Sequence, residues 1–113
     1  MTAGARTPEE LETLLEDAFV LRDTETLAQL FEPRAVLATG GGLQEARGHE
    51  EIGGAAAGVW KLGRMYVANP RRVIQVGDTA LVLAGGATNV VRRGDDAAWR
   101  YAIAFLNYEA RRW

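Results

Sequence analysis

Apolar and polar positions near the N-terminus recur with the period of an amphipathic helix. The apolar positions follow the i, i+3, i+4, i+7, i+8 spacing of one helical face: Leu11, Leu14, Leu15, Ala18 and Phe19. Thr7 can cap this helix, Pro8 suits its first turn, and Glu10 completes a capping box. The pattern predicts a helix that begins at Pro8 and turns an acidic side to solvent, formed by Glu9, Glu12, Glu16 and Asp17.

A second, shorter helix is predicted after Asp23 or Thr24, because either side chain can cap a helix N-terminus. It runs through Phe31 and ends before Pro33, because the residue that precedes a proline disfavours helical geometry. A short strand over 35–39 follows.

A third helix is predicted over residues 49–62. Glycine occupies three of its interior positions, Gly53, Gly54 and Gly58. Each glycine costs about 1 kcal/mol relative to alanine in a helix interior. We therefore expect small side chains to be required there, either by close packing or by approach of the backbone to a ligand.

From residue 64 the pattern becomes that of strands. Segments 65–76, 79–91 and 97–109 are rich in β-branched and aromatic residues, and turn signals at Gly77-Asp78 and 93–96 separate them, which predicts an antiparallel meander. The last segment divides by parity into a bulky row, Trp99, Tyr101, Ile103 and Phe105, and a lean row, Ala98, Ala102, Ala104 and Leu106. Both rows are mostly apolar, so the sheet is predicted to be covered on both faces. Because three helices can cover only one face, we expect a homodimer through the outer sheet face.

Composition limits the classes of function. The 113 residues suit a single domain over 1–113, and 48% of them are hydrophobic, enough for a core. A net charge of −2 gives no overall basic bias, so we expect neither nucleic acid nor a membrane as a partner. Cysteine is absent, His49 is the one histidine, and the glycines at 40–42 lack the signatures of phosphate-binding loops, so we expect no metal and no cofactor. The lack of a targeting segment predicts a cytoplasmic protein.

Charge is unevenly distributed along the chain. Up to Ala57 there are eleven acidic residues against four arginines, a balance of −7, so the remainder carries +5. The simpler interpretation is a set of solvated charges on an acidic helical half and an arginine-rich strand half. The alternative is a basic edge that attracts an anionic ligand, formed by Arg71, Arg72, Arg92 and Arg93.

Three segments in order carry a family pattern: Leu21-Arg22-Asp23 through Leu30-Phe31 and Ala35-Val36; Arg47-Gly48-His49-Glu50-Glu51-Ile52; and Asn69-Pro70 with Val76-Gly77-Asp78-Thr79-Ala80. Together with Trp99-Arg100-Tyr101 they resemble the nuclear transport factor 2-like superfamily, in its SnoaL-like branch, over nearly the whole chain. The resemblance implies an α+β, cystatin-like fold. In this fold a cone-shaped, curved antiparallel sheet wraps around N-terminal helices and encloses an apolar cavity, commonly in a dimer.

The resemblance also implies positions for catalytic groups, and most of these positions carry other residues here. Thr39 or Gly40 stands where ketosteroid isomerase-like members have a general-base Asp, and Tyr66 where related enzymes have a histidine. Every acidic residue is predicted on an exposed helical side, at a cap, in a turn or loop, or at the end of the last strand. The sequence therefore does not predict the buried carboxylate that proton abstraction requires.

These observations favour a small-molecule-binding protein whose apolar pocket takes a small apolar or aromatic ligand. The polar groups that could orient a ligand are Tyr66, Asn69, Asn89, Tyr101, Asn107 and His49. The pocket candidates are Phe19, His49, Trp60, Tyr66, Asn89, Trp99 and Tyr101. One alternative is an isomerase, cyclase or dehydratase that acts on a polyketide- or steroid-like carbonyl substrate through Tyr66, Tyr101 or His49. A second alternative is a structural dimerisation module.

Overall fold

The computed structural model describes residues 4–39, 44–61, 70–85 and 87–106. The helices are α1 (Pro8–Leu21), α2 (Thr24–Gln29) and α3 (Gly48–Lys61). The strands are β1 (Phe31–Thr39), β2 (Gln44–Arg47), β3 (Pro70–Val76), β4 (Thr79–Ala84), β5 (Ala87–Arg93) and β6 (Trp99–Leu106). The predicted strand ends at 65–69 and 107–109 lie outside the described residues.

The first two helices begin at the predicted signals. The backbone N–H of Glu10 donates to Thr7 Oγ1 at 3.0 Å, so α1 begins at Pro8. Asp23 caps α2, because its Oδ1 accepts from the backbone N–H of Thr26 at 3.1 Å. The apolar side of α1 is buried as expected over Leu11, Leu15, Ala18 and Phe19.

The strands form one six-stranded sheet in the order β2-β1-β6-β5-β4-β3. Strands β3 to β6 form the predicted antiparallel meander, whereas β1 lies parallel to β6 and antiparallel to β2. The prediction of one strand over 79–91 was wrong: β4 ends at Ala84, a turn at Gly85 follows, and β5 begins at Ala87. Strand β2 carried no pattern that indicated it.

The start of β1 differs from the prediction. Phe31 opens the strand and does not continue α2, because the backbone N–H of Tyr101 donates to the carbonyl of Leu30 at 2.9 Å and draws the chain onto β6. Phe31 pairs with Tyr101 and Val36 pairs with Ile103, so five residues of β1 advance against two of β6. The residues between Phe31 and Val36, 32–35, form what we call the β1 bulge. Pro33 lies in the bulge, where its missing N–H removes no sheet hydrogen bond.

A second irregularity divides the predicted rows of β6. Val91 pairs with Tyr101 and Val90 with Ile103, so Ala102 is an extra residue in β6. A single extra residue reverses which side the following side chains take. Tyr101 is fully buried, whereas Ile103 is half exposed. The prediction of an uninterrupted bulky row was therefore wrong, since the inward residues are Trp99, Tyr101, Ala104 and Leu106 and the outward ones are Ile103 and Phe105.

Strand register sorts the remaining side chains between two faces. The inner face, which lies towards the helices, has two neighbouring rows of directly paired residues. The first row is Phe31, Tyr101, Val91, Ala80 and Gln75, and the second is Leu37, Ala104, Asn89, Val82 and Val73. On the opposite face, one row of directly paired residues is apolar throughout: Val36, Ile103, Val90, Leu81 and Ile74. We call this set the outer apolar row.

The glycines of α3 have no shared packing role. A Cβ atom at Gly53 would lie 3.9 Å from Thr24 Cβ, an ordinary contact, and one at Gly54 or Gly58 would meet no atom of the described residues within 4 Å. Close packing against the described part of the chain therefore does not explain Gly54 or Gly58. Among the helices of the described ranges, none is long and apolar enough to span a membrane.

Candidate functional site

A carboxyl group lies in the interior, contrary to the prediction for α1. Glu12 has no exposed surface, although the sequence pattern assigns it to the solvent side of the helix. It precedes Leu15 by three residues and Phe19 by seven, and both spacings place side chains on one side of a helix. The buried side of α1 is therefore wider than the apolar stripe, and it includes one acid.

The Glu12 carboxyl group accepts hydrogen bonds from two buried side chains of the sheet. Asn89 Nδ2 donates to Glu12 Oε2 at 3.0 Å, and the Tyr101 hydroxyl donates to the same oxygen. Asn89 and Tyr101 are, like Glu12, fully buried. We call these three residues the interior polar cluster.

The sheet fixes the two donors before a ligand is present. The backbone N–H of Phe105 donates to Asn89 Oδ1 at 3.3 Å, which orients the amide so that its nitrogen faces Glu12. The ring of Tyr101 lies against that of Phe31, with centroids 5.0 Å apart and planes tilted by 34°. The extra residue at Ala102 turns Tyr101 and Ala104 to the same face of the sheet. Ala104 is paired with Asn89, so the side chains of Asn89 and Tyr101 lie on one face and both contact Glu12. The donors are thus held by backbone and ring contacts that do not depend on Glu12.

The cluster has the chemistry of a stabilised acceptor. Burial disfavours the charged form of a carboxyl group, whereas hydrogen bonds donated to it favour that form. Asn89 and Tyr101 both donate to Oε2 of this group. The interior therefore contains a carboxyl oxygen held in place as an acceptor among apolar side chains.

Aromatic residues near the other end of α1 form a second part of the interior. Phe19 meets Trp60 edge to face, with ring centroids 5.8 Å apart and planes at 80°. Trp60 Nε1 is buried and makes no hydrogen bond to any residue that the structure describes. A buried N–H without an acceptor is uncommon in native proteins, which makes it a natural partner for an acceptor on a bound molecule. Phe19 and Trp60, both pocket candidates from the sequence, are thus in contact.

The remaining sequence candidates lie elsewhere. Trp99 is buried at the start of β6, and the Arg93 guanidinium carbon lies 5.7 Å from its ring centroid. His49 lies at the start of α3, and its Nε2 is 2.7 Å from the carbonyl oxygen of Phe31. A carbonyl can only accept, so Nε2 carries the proton. His49 therefore lies apart from the interior polar cluster, beside the β1 bulge.

Three of the polar candidates, Tyr66, Asn69 and Asn107, lie outside the described residues. Of the other candidates, the structure brings Asn89 and Tyr101 to one carboxyl group and Phe19 to Trp60. Sequence reasoning missed Glu12, and its spacing from Leu15 and Phe19 was the signal that could have found it. Within the described ranges, no three histidine, aspartate or glutamate side chains gather as metal ligands would.

Comparisons with known proteins agree on the fold. No protein-family model matches the chain, and no curated protein matches it. Among solved structures, a ketosteroid isomerase-like protein from Erwinia carotovora is 16% identical with a TM-score of 0.73, and the match covers 91% of this chain and 94% of that one. ActVI-ORFA from Streptomyces coelicolor is 14% identical with a TM-score of 0.70, covering 89% and 93%.

An NTF2-like protein with a cystatin-like fold from Novosphingobium aromaticivorans is 21% identical with a TM-score of 0.66, covering 87% of this chain and 77% of that one. Identities at this level establish the fold alone. The matched structures confirm the predicted α+β class, and the described residues form a six-stranded curved sheet and three helices. This chain has the cystatin-like fold of nuclear transport factor 2-like proteins.

Proposed function

We propose that the protein binds a small, largely apolar or aromatic molecule in the interior between α1 and the inner face of the sheet. The interior polar cluster would hold the polar group of this molecule, and Phe19 and Trp60 would contact its apolar part. The observation that carries the proposal is the Glu12 carboxyl group, fully buried and hydrogen-bonded by Asn89 and Tyr101.

Burying a carboxyl group lowers the stability of a fold unless other contacts offset the loss of its hydration. An isolated charge in an apolar interior is strongly unfavourable, and even a well-paired one is often no more stable than an apolar residue of similar volume. Clusters of this kind concentrate at functional sites, and small-molecule sites commonly combine apolar walls with a few placed polar groups. The Trp60 N–H, which has no acceptor among the described residues, adds a second polar atom that a ligand could satisfy.

The proposal implies a movement on binding. Glu12, Asn89 and Tyr101 have no exposed surface, so a molecule reaches them only when packed side chains around them shift. Such a step slows association below the values usual for an open site. We therefore expect the ligand to associate slowly.

Glu12→Gln is the direct test, because glutamine has the same shape and still offers an acceptor oxygen to Asn89 and Tyr101. The matched control is Glu9→Gln, an exposed acid on the same helix. Ligand-observed NMR with a library of neutral aromatic fragments measures binding to the three proteins. We expect fragments that bind the unchanged and Glu9→Gln proteins and that lose affinity for Glu12→Gln. If no fragment shows this difference, the interior site is refuted.

A second candidate function follows from the same contact between a carboxyl group and a phenol. In an isomerase-, cyclase- or dehydratase-type reaction on a polyketide- or steroid-like carbonyl compound, Glu12 would accept a proton from the carbon beside the carbonyl group. Tyr101 would turn its single O–H from Glu12 to the carbonyl oxygen, and the proton taken from carbon would go to the Glu12 oxygen that this turn leaves free. The test is NMR of α-hydrogen exchange of a cyclic ketone in deuterated water. Exchange that Glu12→Gln abolishes and Glu9→Gln preserves would establish catalysis, and exchange equal to the protein-free rate would leave binding alone.

The partner proposal concerns a second copy of the chain. The outer apolar row crosses the centre of the sheet, and Ile103 and Ile74 expose 50% and 43% of their surface. A contiguous apolar row on a sheet face is typical of a self-complementary contact. Sedimentation would show a dimer that Ile103→Lys converts to monomer, while Val20→Lys, on the exposed side of α1, leaves the dimer intact. A monomeric unchanged protein would refute this contact. A dimer without any interior ligand would instead favour a structural dimerisation module.

A further inference from the structure

A groove separate from the interior opens on the outer side of the sheet beside the β1 bulge. Its volume is about 890 Å³, within the range of small-molecule sites. The bulge shapes the groove, because Phe31 and Val36 are paired with β6 while residues 32–35 between them have no partner in β6. The residues that matter for its chemistry are Glu32, Arg34, His49, Arg92 and Arg100.

Three arginines line this groove, and the chain neutralises two of them. Arg92 binds Glu32 through Nε at 2.9 Å and Nη2 at 2.5 Å. Arg100 binds Asp96 through Nη1 at 3.0 Å and Nη2 at 2.6 Å. Arg34 is exposed and has no hydrogen bond or ion pair with any residue of the described ranges. Among its described residues, the groove therefore has one positive charge, that of Arg34, without a paired carboxylate.

The two paired arginines keep N–H groups for a further acceptor. The bonds to Glu32 use Nε and Nη2 of Arg92, which leaves its Nη1; the bonds to Asp96 leave Nε of Arg100. A guanidinium group has five N–H donors in a fixed plane, so it can hold an internal carboxylate and an external anion together. His49 ties the floor of the groove to α3 through its bond to Phe31 and thereby positions the bulge.

We propose that this groove binds the phosphate group of a small organic phosphate monoester. A ligand carboxylate brings one charge and two acceptor oxygens, so it satisfies fewer of these donors and less of the positive charge than a phosphate does. A phosphate monoester brings nearly two charges and three acceptor oxygens, so it can bind Arg34 and the remaining N–H groups of Arg92 and Arg100 at once. The groove volume exceeds what a phosphate group fills, which leaves space for the organic part. The site shares no residue with the interior polar cluster, so each of the two proposals can fail without the other.

Isothermal titration at low ionic strength with phenyl phosphate tests the site, with benzoate as the carboxylate of similar shape. We expect saturable binding with a dissociation constant of about 1 mM or tighter, and weaker binding of benzoate. Arg34→Gln removes a cation that no described ion pair needs, so it should weaken phenyl phosphate about tenfold, as the loss of one charge-assisted hydrogen bond does. Arg71→Gln, an exposed arginine of β3 outside the groove, is the matched control and should change affinity by less than about twofold.

Several outcomes would overturn the site. These are no saturation up to about 20 mM phenyl phosphate, an equal loss in Arg71→Gln and Arg34→Gln, or benzoate bound as tightly as phenyl phosphate. Arg92→Lys keeps the charge and removes the planar donor set, so it should also weaken phenyl phosphate, while Glu12→Gln should leave it unchanged. A loss in Glu12→Gln equal to that in Arg34→Gln would place the phosphate in the interior and refute the groove.

Discussion

Tyr101→Phe tests whether the interior polar cluster is built as described. The substitution removes one hydroxyl that donates to the buried Glu12 carboxyl group and keeps the ring against Phe31. Removing one partner of a buried hydrogen bond costs about 1–3 kcal/mol, and no apolar contact is lost, so we expect the free energy of unfolding to fall by about 2 kcal/mol. For a chain of this size that is a loss of roughly 8 °C in thermal midpoint.

Urea unfolding followed by tryptophan fluorescence measures the change, and Glu12→Gln completes a double-mutant cycle. In the protein that already carries Glu12→Gln, the Tyr101 hydroxyl donates to a neutral amide, a bond of about 1 kcal/mol, so the cycle should give a coupling energy of about 1 kcal/mol. A loss below about 0.5 kcal/mol in Tyr101→Phe, or a coupling energy of zero, would refute a hydrogen bond to Glu12 that is stronger than one to an amide.

Further predictions concern helix ends, glycines and acid stability. Thr7→Ala should lower the free energy of unfolding by about 1 kcal/mol, measured by thermal circular dichroism, because it removes the α1 cap. Gly54→Ala should raise the thermal midpoint, because a methyl group there meets nothing within 4 Å, whereas Gly48→Ala should lower it, because Gly48 has φ +82°. Hydrogen bonds from Arg100 and from the backbone lower the pKa of Asp96 to about 2 from an ordinary 3.8. Its contribution to stability is therefore present above about pH 4 and lost between about pH 4 and 2, and Asp96→Asn should flatten the stability–pH profile there; an unchanged slope would contradict this.

Much of the fold was predictable because its signals are local. Thr7 and Asp23 mark the helix starts by side chains that bond within three residues. Inside α3, the glycines at 54 and 58 did not prevent a correct prediction, because the helix still buries Ile52, Ala56 and Trp60 along one side. The prediction was wrong where contacts between distant segments decide the conformation. Phe31 is an example, because hydrogen bonding and pairing with β6 place it in a strand.

The candidate site was predictable only in part, for the same reason. Asn89 and Tyr101 were identified as polar residues able to orient a ligand, but their direction was not readable, because one extra residue at Ala102 reverses the sides of β6. Glu12 was assigned to solvent because an acid beside an apolar stripe is usually exposed. Its burial depends on two donors that lie 77 and 89 residues further along the chain.

The sequence by itself determined the three helices, the caps of α1 and α2, the lack of cysteine and the α+β class, because these depend on composition and on contacts between near neighbours. Tertiary structure decided that Glu12 lies in the interior and that three arginines share an outer groove. Both depend on strand register, and register is set by two bulges that no local spacing encodes. Hydrogen bonding between distant strands thereby chose which polar side chains meet.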